Sequence, residues 1–140
     1  MTQKVEFAGP EWMAAIESKF RTYAEGPGRD SKLSICEVFT GVPKHLDPDG
    51  TGRIAWHCFI GGGKLKFAYG EIDGADIKNI ADYDTILPFA RLRLTPETQE
   101  EYQRMAEAAM AAGKLQRLGD PAKVPQALHG LHNEMADITV

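Results

Sequence analysis

Between residues 32 and 71 the chain alternates dense apolar runs with glycine-rich turns, and this stretch constrains the fold more than any other. In Lys64–Glu71, Leu65, Phe67 and Tyr69 alternate with Lys64, Lys66 and Ala68, a period of two that fits a half-buried strand and no amphipathic helix. Gly61-Gly62-Gly63 turns the chain just before it. Arg53–Ile60 sets Ile54, Trp56, Cys58 and Ile60 on one side and Ala55, His57 and Phe59 on the other, so both faces of this second run are apolar. Lys32–Val42 is equally rich in β-branched and aromatic residues and ends in a turn-rich loop from Pro43 to Gly52. Three consecutive strands joined by turns predict an antiparallel meander. Asp73-Gly74 is a further hairpin signal, and Ala75–Ile80 can return as a fourth strand.

The flanks change period. Trp12, Ile16, Phe20 and Tyr23 recur on one face of a helix over Glu11–Glu25, which Gly26-Pro27-Gly28 stops. Asp82–Leu94 suits a short helix if Pro88 falls near its first turn. Thr95 as N-cap, Pro96 behind it and Glu97 at the positive dipole end open a helix that runs through Tyr102, Met105, Ala106 and Ala109 to Gly113. Lys114–Leu118 is a short fifth strand. Asp120-Pro121 or Pro125 starts a last helix marked by Val124, Leu128, Leu131 and Met135. Strands followed by helices, without internal repeat or linker, read as one α+β domain over residues 1–140.

At 140 residues the chain is large enough for its own core. Sixteen Lys and Arg against twenty Asp and Glu give a net charge of −4 with the basic residues scattered, which gives a phosphate backbone no footprint and argues against a nucleic-acid partner. No apolar run approaches the roughly 20 residues of a spanning helix, so stable membrane insertion is not expected. Met1–Pro10 lacks a basic start followed by an apolar stretch, and two cysteines form no disulfide framework; a reducing cytoplasm is the expected compartment.

Few residues carry chemistry. Asp47-Pro48-Asp49-Gly50-Thr51-Gly52 matches the start of a calcium loop, but the position for the closing carboxylate falls on Cys58 and strands flank it, so a hairpin turn is expected. Gly61-Gly62-Gly63-Lys64 leads into a strand and not a helix, which excludes a phosphate cradle. If Val42 faces Gly52, Cys36 falls opposite Cys58 and Glu37 opposite His57, and a Glu–His pair facing a cavity could move protons. Paired cytosolic thiols are most simply small hydrophobes, and no histidine or cysteine spacing holds a metal, so no cofactor or metal is expected. His129 and His132 are expected to face solvent. Hydrolase motifs are absent. What remains conspicuous is the supply of aromatic and Met side chains on every element, which fill a core or line an adaptable apolar pocket.

Gly113-Lys114-Leu115-Gln116-Arg117-Leu118-Gly119-Asp120, followed by Lys123 and the Leu128…Leu131 helix, resembles the closing signature of the sterol carrier protein type two family. Ala75-Asp76 followed by Asp82-Tyr83-Asp84 is similar to its strand-to-helix passage. The resemblance covers roughly residues 33–135; the longer, more acidic helix over Thr95–Ala112 departs from it, and Trp12 set early in a helix resembles stand-alone bacterial members. It implies a five-stranded, mostly antiparallel sheet with helices on one face and an apolar tunnel between them, taking a sterol or steroid, a fatty acyl chain or an acyl-CoA. The expected ligand-binding residues are Trp56, Phe67, Tyr69, Phe89, Met110, Leu128, Leu131 and Met135. The chain then acts as a non-catalytic carrier or presenter, its partners being the ligand and either a second copy of itself or a pathway enzyme. The rival is a small enzyme using the same cavity, with His57, Glu37, Tyr69 and Tyr83 as acid–base groups. A third reading is an interaction module with an apolar patch.

Overall fold

The computed structural model describes residues 4–140; Met1–Gln3, where the segment read for a leader begins, lie outside the described residues. The meander forms as its alternation requires. Strands β1 (Leu33–Thr40), β2 (Arg53–Gly61) and β3 (Lys64–Tyr69) pair antiparallel in sequence order. The β2–β3 turn is held by Gly62 and Gly63, both at positive φ, the mirror-image turn whose twist matches the strands it joins. The Asp47 carboxylate accepts from the amides of Thr51 (3.1 Å) and Gly52 (2.6 Å), so this aspartate shapes the β1–β2 connection.

Two expectations about pairing are corrected. Val42 does face Gly52, donating to its carbonyl at 3.4 Å, yet the strands pair Cys36 with His57 and Glu37 with Trp56. Gly41, at φ +61°, takes up the extra residue as a bulge. A slip of one position sends neighbouring side chains to opposite faces, so neither the Cys36–Cys58 nor the Glu37–His57 pair exists. Strand β4 (Ile77–Asp82) is the second correction. Instead of folding back on β3 it crosses under the sheet and pairs parallel with β1, on the far side from β2. Strand β5 (Leu115–Gly119) closes the order β3-β2-β1-β4-β5 by pairing antiparallel with β4. Gly119 is required there: its φ is +101°, and a Cβ would stand 1.9 Å from the Asp76 carbonyl oxygen.

The helices α1 (Pro10–Glu25), α2 (Tyr83–Arg91), α3 (Gln99–Ala111) and α4 (Gln126–Ile138) pack on one face, as an α+β chain with a single apolar sheet face must. Asp82 caps α2 by accepting from Thr85 N at 3.1 Å, and Pro88 sits inside this helix, not in its first turn. α3 begins one turn later than Thr95, because residues 95–98 form a turn closed by Thr98 N–H to the Thr95 carbonyl. The total accessible surface is 8244 Å², above the roughly 7,200 Å² expected for this mass.

The opposite face is covered by the crossing segment 70–76, which charge pairs and hydrogen bonds fasten. The buried Lys78 ammonium lies 2.7 Å from Glu71 and 3.2 Å from Asp73. Asp76 accepts from the backbone N–H (2.9 Å) and hydroxyl (3.2 Å) of Ser34. The Ser34 amide, ahead of its hydroxyl and Lys123, holds the Asp76 carboxyl below the usual carboxylate range. A folded value below the unfolded one means that the ionised carboxylate adds stability above about pH 4, lost as pH falls through the folded value. Asp76→Asn should therefore lower stability by about 1 kcal/mol at neutral pH, below the roughly 1.5–3 kcal/mol of a hydrogen bond to a charged group because solvent reaches this carboxylate. Urea titrations should show the gap to wild type closing in acid; a gap constant with pH would assign the effect to shape alone.

Candidate functional site

Cross-strand pairing arranges the helix-facing side chains in rows. Phe67, Cys58, Ile35, Ile77 and Gly119 align across all five strands, and Ile54, Phe39, Ala81 and Leu115 align four residues away. Both rows are apolar apart from the thiol. Between them runs Tyr69–Trp56–Glu37–Asn79–Arg117, so a polar row is set into the apolar floor. Over this floor the helices leave a cavity of about 280 Å³, walled by Trp12, Ile16 and Phe20 of α1, Ile86, Phe89 and Ala90 of α2, and Leu128, Leu131, His132 and Met135 of α4. Arg117 is exposed and still borders the cavity, which places the mouth at β5, beside Tyr102 of α3 and His132.

Of the ligand-binding residues expected from the sequence, Trp56, Phe89, Leu128, Leu131 and Met135 meet at this cavity. Three do not. Phe67 stacks behind Trp56, their ring centroids 5.4 Å apart. Tyr69 ends an edge strand and is 68% exposed. Met110 is 44% exposed because Ala106 and Ala109 turn inward from α3, and the next residue is rotated by about 100°. Among the acid–base candidates only Glu37 faces the cavity. His57 lies on the other sheet face, where Nδ1 donates to the Gly70 carbonyl at 2.8 Å, and the Tyr83 hydroxyl is engaged with the Phe7 carbonyl at 3.2 Å. An enzyme built on that quartet has no common site.

The polar lining is therefore Glu37, Asn79, Tyr102, Arg117 and His132, of which sequence reasoning found one. Arg117 donates to the Tyr102 hydroxyl at 2.6 Å, with its guanidinium 5.5 Å from the ring centroid. His132, expected in solvent, is part-buried, and Nε2 lies 2.8 Å from the Leu92 carbonyl, the geometry of a donated N–H. Burial, foremost, and then Arg117 push its pKa down against the pull of that carbonyl, which keeps the ring neutral. Its signal was legible: it stands four residues after Leu128 and three before Met135, on the same helix stripe. Asn79 and Arg117 join Glu37 only through pairings of strands distant in sequence.

Glu37 is unusual. Surrounded by protein, it keeps accessible surface that belongs to the cavity. Burial raises the pKa of its carboxyl, and the Asn79 amide, the Arg117 guanidinium and the Trp56 indole draw it partly back. The Trp56 N–H is itself sealed and closes no hydrogen bond of ordinary geometry, as is also true of Trp12. Burial pushes the Cys58 thiol up to about 12 and raises that of Cys36, on opposite faces, so neither is a ready nucleophile.

No protein-family model matches the chain, and no curated protein matches its sequence. Solved structures do. A crystal structure of sterol carrier protein 2 superposes with a TM-score of 0.56 at 20% identity, over 95% of this chain and 99% of that one. A UbiJ-SCP2 ubiquinone synthesis protein aligns at 17% identity over 94% of this chain and 96% of its own, with a TM-score of 0.48. The palmitated SCP2L2 of Aedes aegypti aligns at 16% over 89% and 94%, with a TM-score of 0.47. The chain has the fold of sterol carrier protein 2. Among the described residues no helix is long and apolar enough to cross a membrane.

Because burial raises the Glu37 carboxyl above its value in the unfolded chain, the folded protein holds the proton more tightly, and stability falls as pH rises above the ordinary carboxylate range. Glu37→Gln should accordingly raise the melting temperature, by more at about pH 8 than at about pH 5. Calorimetry at both values checks this; a lower melting temperature at each would make the carboxylate a structural strut.

Proposed function

We propose that the chain binds an elongated, mostly apolar small molecule in the cavity over β1, and carries or presents it. The observation behind this reading is an apolar-walled cavity between sheet and helices in a fold shared with a protein described as a sterol carrier. Burying about 300 Å² of ligand apolar surface is worth roughly 7 kcal/mol gross at 25 cal/mol per Å², which supports micromolar binding where ordering costs are small. A volume of about 280 Å³ stands at the lower end of the roughly 300–1,000 Å³ of small-molecule sites. It favours an acyl chain or a compact ring system inside, with any bulky head left at the Arg117 mouth. In this reading residues 1–140 act as one binding unit in the cytoplasm, with the ligand and an enzyme that loads or receives it as partners.

The Leu131 side chain is the place to test it, since it lines the cavity on α4 and is only partly buried. Leu131→Trp should fill the volume and weaken a fluorescent fatty-acyl or steroid probe by tenfold or more, an area effect. His57→Ala, on the far face, should leave binding unchanged. Equal probe affinity in wild type and Leu131→Trp would sink the carrier reading.

A further inference from the structure

We infer that Glu37 is a head-group site, and that the cavity prefers an apolar molecule ending in a neutral hydroxyl over one ending in a carboxylate. The inference rests on the carrier reading and names the chemistry of its ligand. Glu37 occupies the middle of the central strand with apolar rows on both sides, a position where an aliphatic residue would pack without penalty and an acid is costly to bury. Its surroundings do not use it up. An ionised carboxylate offers about four lone-pair sites, whereas the groups nearest it are one amide and an indole N–H without ordinary hydrogen-bond geometry. Arg117 acts on it from two strands away, with its guanidinium already donating to Tyr102. The oxygens that keep cavity surface are open to a donor supplied by the ligand.

Three kinds of ligand end could supply or oppose that donor. Where Glu37 is ionised, a carboxylate brings a like charge against it and offers it no proton; where burial keeps the acid protonated it donates to that carboxylate instead, so the preference for a hydroxyl strengthens as pH rises through the raised value. An ammonium carries its own charge into an apolar enclosure that already faces Arg117 and loses its hydration there. A hydroxyl is neutral and does both jobs: its O–H donates to the Glu37 carboxylate while its oxygen accepts from the Asn79 amide. The apolar rows on either side then take the remainder of the molecule.

Trp12 and Trp56 are the chain's two tryptophans and both line the cavity, so their fluorescence reports occupancy. Wild type, Glu37→Gln and Glu37→Leu are titrated with decane, decanol and decanoate. Decanol is expected to bind wild type more tightly than decanoate, and the ratio of the two affinities to shrink about tenfold in each variant, the scale of one hydrogen bond to a charged group. Decane, which has no head group, sets the apolar baseline against which decanol and decanoate are compared in each protein. A ratio unchanged in both variants, or decanoate binding wild type as tightly as decanol, overturns the head-group site while decane binding leaves the carrier reading standing. Failure of all three molecules to bind wild type overturns the carrier reading and this inference with it.

Discussion

The parallel pairing of β1 with β4 governs the rest of the molecule. Placing β4 beyond β1 forces the chain leaving β3 to pass beneath two strands, and that crossing occupies one sheet face with a short strap. Every helix is thereby left to the other face, where the floor is five strands wide. Pairing with β4 also brings Asn79 level with Glu37, and β5 then brings Arg117 level with Asn79. Without the crossing, neither the one-sided helical layer nor the polar row would exist.

Two ionisable side chains lie on the two faces of this sheet, and they differ in their company. Lys78, on the strap face, is held between Glu71 and Asp73, so the cost of removing it from water is offset by paired opposite charge. These contacts fasten the strap, a structural task complete within the chain. Glu37, on the cavity face, has no cation in direct contact and is left with its pKa raised. Stability alone would favour a leucine at that position, and Asn79, Arg117 and Trp56 offset the buried acid only in part.

The meander was legible because its signals are local: alternation in Lys64–Tyr69 and paired glycines in the turn before it. The pairing of β4 was not, since Asp73-Gly74 carries the signature of a hairpin whatever strand follows, and the choice between β3 and β1 as partner depends on which face needs covering. The bulge at Gly41 shifts the register by one and separates Glu37 from His57, although Val42 does contact Gly52. Helix walls were legible where apolar residues recur at helical spacing, as with Leu128, Leu131 and Met135. His132 shares that stripe and was assigned to solvent because its type, not its position, was weighed. The polar row depends on strands separated by some forty residues, and no local pattern reveals it.

A cavity of this size persists only if something keeps the helices from settling onto the sheet, since an empty volume forfeits packing on all its walls. Aromatic rings do this at two points under α1. Trp12 rests on Phe7 and Phe39 at centroid separations of 5.0 and 6.2 Å, with Tyr83 5.4 Å from Phe7. Phe20 rests on Trp56 at 5.6 Å, with Phe67 stacked behind. The two props stand eight residues apart on one helix, about 12 Å at the ordinary rise. Rings tilted or edge-on to one another cannot flatten, and each is wide enough to hold the backbones apart. The opposing wall on α4 is Leu128, Leu131 and Met135, aliphatic and adjustable. One wall thus keeps the void open while the other conforms to what enters it, and Glu37 lies on the floor between them.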